Sequence, residues 1–126
     1  MKIKTSELEG LALDWAVAKA VGHEDVRVNV DWDIVYLVQK YENAPDAALI
    51  QDWEPSTTWG QCGPLIEHHR VMIEPLTRID HPEGGWHAGF KDRIGVLHGP
   101  TPLIAACRAI VAAKLGDEVE VPEELV

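Results

Sequence analysis

Positive charge is scarce in this chain: 11 Lys and Arg stand against 21 Asp and Glu in 126 residues, a formal net charge of −10. Proteins that grip nucleic acid do so chiefly by neutralising phosphates, so this balance argues against direct DNA or RNA binding. It leaves room for a basic partner, for an acidic decoy of nucleic acid, and for charge that serves only solubility. Cysteine is scarce too. Cys62, read as a loop residue, and Cys107, on an apolar helix face, are predicted to be reduced thiols of a cytosolic protein. Long apolar runs are missing as well. The longest, Leu103 to Ala113, is interrupted by Arg108 and is too short to span a bilayer. Met1-Lys2-Ile3-Lys4 is followed by polar residues, without the apolar core of a signal peptide. A cytoplasmic setting with no membrane role is therefore expected.

Catalytic and metal signatures are thin. Five of the six histidines, His68, His69, His81, His87 and His98, fall between residues 68 and 98, yet none pairs at the i, i+4 helical spacing or with a Cys-x-x-Cys partner. Neither Ser56 nor Cys62 sits in a nucleophile elbow or a comparable box. No cofactor or metal is expected, and binding is favoured over turnover.

Hydrophobic residues make up 46% of the chain, enough for one globular domain spanning residues 1–126. The most organised stretch is Gly99 to Gly116. Thr101 suits the N-cap, Pro102 the first helical position, and Gly116 the residue past the end. On the wheel Leu103, Ile104, Cys107, Ile110, Val111 and Leu115 form one face, and Ala105, Ala106, Ala109, Ala112 and Ala113 the other. With no polar side, this helix must be sandwiched. A first helix is predicted from Ser6 to Val21, opened by a Ser6/Glu9 capping box. It too is apolar nearly all round, with Asp14 projecting between the apolar groups, either partly buried or reaching solvent at a face boundary. Lys19, one turn after Trp15, is placed to lie along the indole.

Val26 to Val30 and Ile34 to Val38 read as strands joined by a turn, and Arg70 to Glu74 and Trp86 to Phe90 as two more, connected through the turn-rich Asp80 to Gly85. Asn43 to Pro55, with Pro45 and several acids, reads as a variable loop, and the residues after Pro122 as a fraying end. The expected fold is α+β: one small antiparallel sheet of about four strands with two helices on one face.

Three segments carry a family resemblance. Lys2 to Leu8 with Leu13 to Lys19, Pro55-Ser56-Thr57 with Trp59, Gly63-Pro64 and Ile66-Glu67, and Gly99 to Ala106 with Lys114 to Val119 together resemble the NinX-like proteins of bacteriophages and prophages. The resemblance spans the chain, departing at Gln61-Cys62 and His68-His69, and implies a phage origin and a bacterial cytoplasmic setting rather than a reaction.

The residues themselves suggest a site. The start of the Gly99–Gly116 helix presents free N–H groups and the positive end of a dipole to an anion. If the Ser56 to Pro64 loop covers it, Trp59 or Trp15 could stack on a ring while Arg108 balances charge. The candidate set is Trp15, Lys19, Ser56, Thr57, Trp59, Gly63, Thr101 and Arg108, for a small anionic or nucleotide-like ligand. The competing reading keeps these residues structural: Ser56 and Thr57 serve a turn, Trp59 plugs the core edge, and Thr101 satisfies the helix end alone. A further alternative is an acidic interaction factor that engages a host enzyme or DNA-binding protein. Two helices apolar on nearly every side are hard to bury in one small sheet, which also predicts a homodimer; light scattering should give twice the chain mass, and a monomer would contradict that expectation.

Overall fold

The computed structural model describes residues 1–77 and 79–126, and for Pro45 the backbone alone. Among them the chain runs β1 (Lys2–Lys4), α1 (Gly10–Ala20), β2 (Val26–Asn29), β3 (Ile34–Tyr41), β4 (Ala44–Asp52), α2 (Trp59–His69), β5 (Met72–Pro75), β6 (Trp86–Gly89), β7 (Val96–Gly99), α3 (Pro102–Leu115) and β8 (Glu118–Glu120), with 3-10 turns at Thr5–Glu7 and Glu123–Leu125. The fold is α+β. In place of one four-stranded sheet with two helices, three helices pack with three small antiparallel sheets, ordered β1-β8, β2-β3-β4 and β5-β6-β7.

α3 starts and stops as its sequence predicts. Thr101 Oγ1 accepts the Ile104 N–H at 3.1 Å, Pro102 occupies the first turn, and Gly116, at φ 93°, ends it. Its alanine face is covered within the chain at Ala105, Ala106 and Ala109, while Ala112 and Ala113 are half-buried. On β5-β6-β7 the residues Ile73, Ala88 and Leu97 are cross-strand partners on the face turned to α3, while α1 packs on another side of the same helix. α1 in turn rests on β2 and β3. A helix pressed between a sheet and another helix has little use for a polar side, which explains why both read as apolar all round. Small residues set the spacing. Ala88, Ala105, Ala106 and Ala109 are buried, and a Cβ on Gly99 would lie 2.6 Å from the Ala105 nitrogen.

α1 begins four residues later than predicted. Gly10 adopts φ 57°, a left-handed turn that separates the Thr5–Glu7 turn from the helix, and Glu9 at the N-cap makes no side-chain cap bond. Thr5 is committed elsewhere: its hydroxyl donates to Gly116 O at 2.6 Å and its N–H to Asp117 O at 2.8 Å. Those bonds continue the β1-β8 ladder, which the sequence reading missed because each strand has three residues and finds its partner more than a hundred positions away. The end of the chain is thus tied to its start up to Val121, whose N–H donates to Met1 O at 2.9 Å.

The predicted loop at Asn43 to Pro55 is largely a strand. β4 pairs with β3 from Tyr36↔Asp52 to Lys40↔Ala48, with a register shift before Tyr41↔Ala44. Local signals there are poor, but an edge strand tolerates proline and acids on its outer side. Ser56 to Pro64 is likewise shorter as a loop than expected, because α2 starts at Trp59 and carries Cys62, Gly63 and Pro64 inside it. β7, Val96–Gly99, is a further strand that the sequence pattern does not predict.

Replacing Gly99 with Ala forces the β7 backbone off α3 and should cost about 2 kcal/mol, the usual scale of overpacking. Denaturant unfolding should show a lower midpoint at unchanged slope; an unchanged midpoint would contradict this packing.

Candidate functional site

Three elements bound a recess of about 180 Å³: the start of α1 with Gly10, Leu11 and Asp14, the β3 end with Asp33, Ile34 and Val35, and the segment after β4 with Trp53, Glu54, Ser56 and Thr57. Each piece is locked in place. The Trp53 indole Nε1 donates to Asp14 O at 3.1 Å and its N–H to Val35 O at 2.8 Å, so the residue closing β4 also pins α1. Gln61 clamps the connection from α2: its Oε1 accepts the Glu54 N–H and its Nε2 donates to Asp52 O, both at 2.6 Å. Glu54 O accepts the N–H groups of Thr57 and Thr58, winding a turn that leads into α2.

Asp14 is the unusual member. It is 5% exposed, yet it lines the recess, and its Oδ1 accepts the Ser56 N–H at 2.9 Å. Burial pushes its pKa from the ordinary 3.8 up to about 6; the Ser56 backbone and side chain pull it down, and the Glu54 carboxylate adds a further rise. At neutral pH the group is still largely ionised, and Ser56 is the one residue hydrogen-bonded to it among the described residues. A carboxylate accepts about four hydrogen bonds, so acceptor capacity remains for a donor entering the recess. Among the described residues no basic side chain lines it.

Beside Thr57, α2 opens outward. Thr58 makes no side-chain cap bond, and the Trp59 and Gly60 N–H groups have no partner among the described residues. Trp59 is 58% exposed. α2 and α3 run side by side in the same direction: Cys62 Sγ lies 3.8 Å from Cys107 Sγ near their starts, and His69 and Lys114 share a depression at their ends. Cys62 is therefore a helix residue rather than a loop residue, and both thiols are free and buried. The contact with Cys62, and then burial, push the Cys107 thiol far above its ordinary range.

The sequence-predicted residues divide. Ser56 and Thr57 line the recess, with Trp59 and Gly63 following on α2. Trp15 and Lys19 pair on α1, Nζ standing 5.8 Å from the ring centroid. Thr101 is spent as the α3 cap, and Arg108 donates from Nε to Leu8 O and from Nη1 to His98 O, both at 2.9 Å, tying α3 to the turn before α1 and to β7. Neither lines the recess. Trp53, Glu54 and Asp33 were not singled out from sequence. For Asp14 the signal was there, in an acid lying between two apolar helix faces.

The family model described as Bacteriophage P22, NinX matches residues 4–114, which include α1, the recess segment and nearly all of α3. The chain belongs to this NinX family. That places it among phage-encoded proteins. No curated protein matches the chain. The family description names no reaction, and among the described residues no helix is long and apolar enough to cross a membrane.

An acid whose folded-state pKa is raised contributes its stability below the unfolded pKa and loses it as pH rises through the folded value. Asp14→Asn keeps an oxygen for Ser56 and removes the buried charge. It should raise stability by on the order of 2 kcal/mol at pH 7.5, with the gain vanishing below about pH 4. Thermal unfolding across that range measures it, and destabilisation at every pH would contradict the assignment.

Proposed function

We propose that this NinX-family protein works by binding rather than turnover, as a module that holds a small anionic, nucleotide-like ligand. The observation that carries this reading is Asp14, a carboxylate kept nearly out of water at the wall of an open recess. Stability alone would favour an amide or an apolar side chain there, and perturbed acids in recesses mark functional sites. At about 180 Å³ the recess is smaller than the ~300 Å³ at which drug-sized pockets begin, so it takes one ring or edge of a ligand. A nucleobase edge carries N–H donors that match Asp14, and the hydroxyls of Ser56 and Thr57 stand beside it. The anionic part then lies outside, where the open Trp59 and Gly60 N–H groups and the positive end of α2 favour a phosphate. Trp59 offers an exposed ring next to it. In this reading the anion sits at α2, because the first turn of α3 is capped by Thr101 and crowded by Gly99.

A second reading rests on a different surface. The face of β2-β3-β4 carrying Tyr36, Val38 and Ile50 leaves Ile50 63% exposed, and Trp32 on the β2-β3 turn is 81% exposed. On a chain of net charge −10 such a surface suits a basic host protein.

A thermal-shift series with nucleoside mono- and diphosphates decides between them. A ligand that binds only the folded state raises the melting temperature. The expected result is a shift of several degrees with at least one nucleotide, abolished by Asp14→Asn although that variant is itself folded. No shift with any nucleotide, or an equal shift in the variant, would overturn the reading.

A further inference from the structure

α2 is the least secured helix of the fold. Gly60 and Gly63 weaken its first turns, Pro64 has no N–H to donate to the Gly60 carbonyl, and Thr58 makes no side-chain cap bond. Its main packing partner is α3. Of its 11 residues only Cys62 is buried. That side chain meets the other cysteine of the chain, Cys107 on α3, with the two sulfurs in hydrogen-bond contact at 3.8 Å although 45 positions separate them in sequence. A disulfide needs the sulfurs about 2 Å apart, so closing the gap takes rotation of two side chains and a small shift of one helix. The helix free to shift is α2.

We propose that Cys62 and Cys107 are the site of an intramolecular disulfide that forms when the protein meets hydrogen peroxide and fastens α2 to α3. The contact also assigns the order of events. Cys107 stabilises the Cys62 thiolate and lowers its pKa, against burial and the Asp14 carboxylate, whereas the Cys107 thiol is itself pushed up. Cys62 is thus the nucleophile and Cys107 the resolving thiol. The Cys62 thiolate attacks one peroxide oxygen, the O–O bond breaks, and the departing hydroxide takes up the Cys62 proton as water. Cys107 sulfur then attacks the sulfenic acid, the S–O bond breaks, and a second water leaves with the Cys107 proton. Two thiols are oxidised to a disulfide while one peroxide is reduced to two waters. Local opening of the weak first turns of α2 admits the oxidant, and the finished crosslink restricts the unfolded chain and holds α2 at its one buried residue. The disulfide requires no ligand in the recess.

Treating the reduced, folded protein with excess hydrogen peroxide, alkylating it with iodoacetamide in guanidinium and weighing the intact chain tests this. The expected product is a single chain lighter by two hydrogens and free of alkyl groups. Its melting temperature should rise by roughly 5–10 °C and fall back with dithiothreitol. Cys107→Ala should leave Cys62 as a sulfenic acid that dimedone captures, with no gain in melting temperature, and Cys62→Ala should leave Cys107 unreacted. Circular dichroism shows whether each variant folds, and the parent chain decides the matter where one does not. Two alkylated or over-oxidised thiols in the parent, a crosslink between chains instead of within one, or a disulfide that lowers the melting temperature would overturn the proposal; dimedone on Cys107 in a folded Cys62→Ala variant would overturn the assigned order.

Discussion

The carboxylate of Asp14 sits on the second turn of α1, almost out of water, with Ser56 its one hydrogen-bonding residue among the described residues. Water would solvate that charge far better than the protein does, and a pKa of about 6 expresses the deficit. Much of the surrounding architecture holds it there. Trp53 reaches from β4 to the Asp14 carbonyl, Gln61 fastens the Glu54 segment to α2, and Gly10 takes a left-handed conformation where α1 begins at the recess edge. Loosening any of these would let the carboxylate move toward solvent, and the recess would lose its one strongly perturbed group.

Behind the site, α3 organises the packing. Its alanines and Gly99 bring β5-β6-β7 to backbone contact, α1 lies on another side, and Arg108 joins α3 to carbonyls of two other segments. The same arrangement disposes the two faces of the β5-β6-β7 sheet. Ile73, Ala88 and Leu97 go inward, so their neighbours Glu74, His87 and His98 must stand together outside, because residues along a strand alternate. A histidine row on that sheet thus follows directly from the burial of an apolar row beneath it.

Legibility from sequence tracked how local each determinant is. Thr101, Pro102 and Gly116 carry their signals within α3, and its limits were readable; so were the alternating Val26 to Asn29 and the apolar run from Ile34. β1 and β8 are stabilised by each other across the length of the chain, and β4 by β3, so neither shows in a local window. The capping box at Ser6 failed because Thr5 pairs with residues after α3 and Gly10 turns left-handed. In the site, Ser56 and Thr57 stood out as small hydroxyl residues, but their partner Asp14 is 42 positions away and only the fold joins them. The histidines read from sequence as surface and turn residues, and only the cross-strand register shows that His87 stands opposite His98.

The most direct measurement of the central claim is the titration of the Asp14 carboxyl carbon by NMR in the folded protein. A midpoint near 6 is predicted, followed by displacement to lower pH when a ligand with N–H donors fills the recess and stabilises the charged form. A midpoint at the ordinary value of an exposed aspartate would contradict the account.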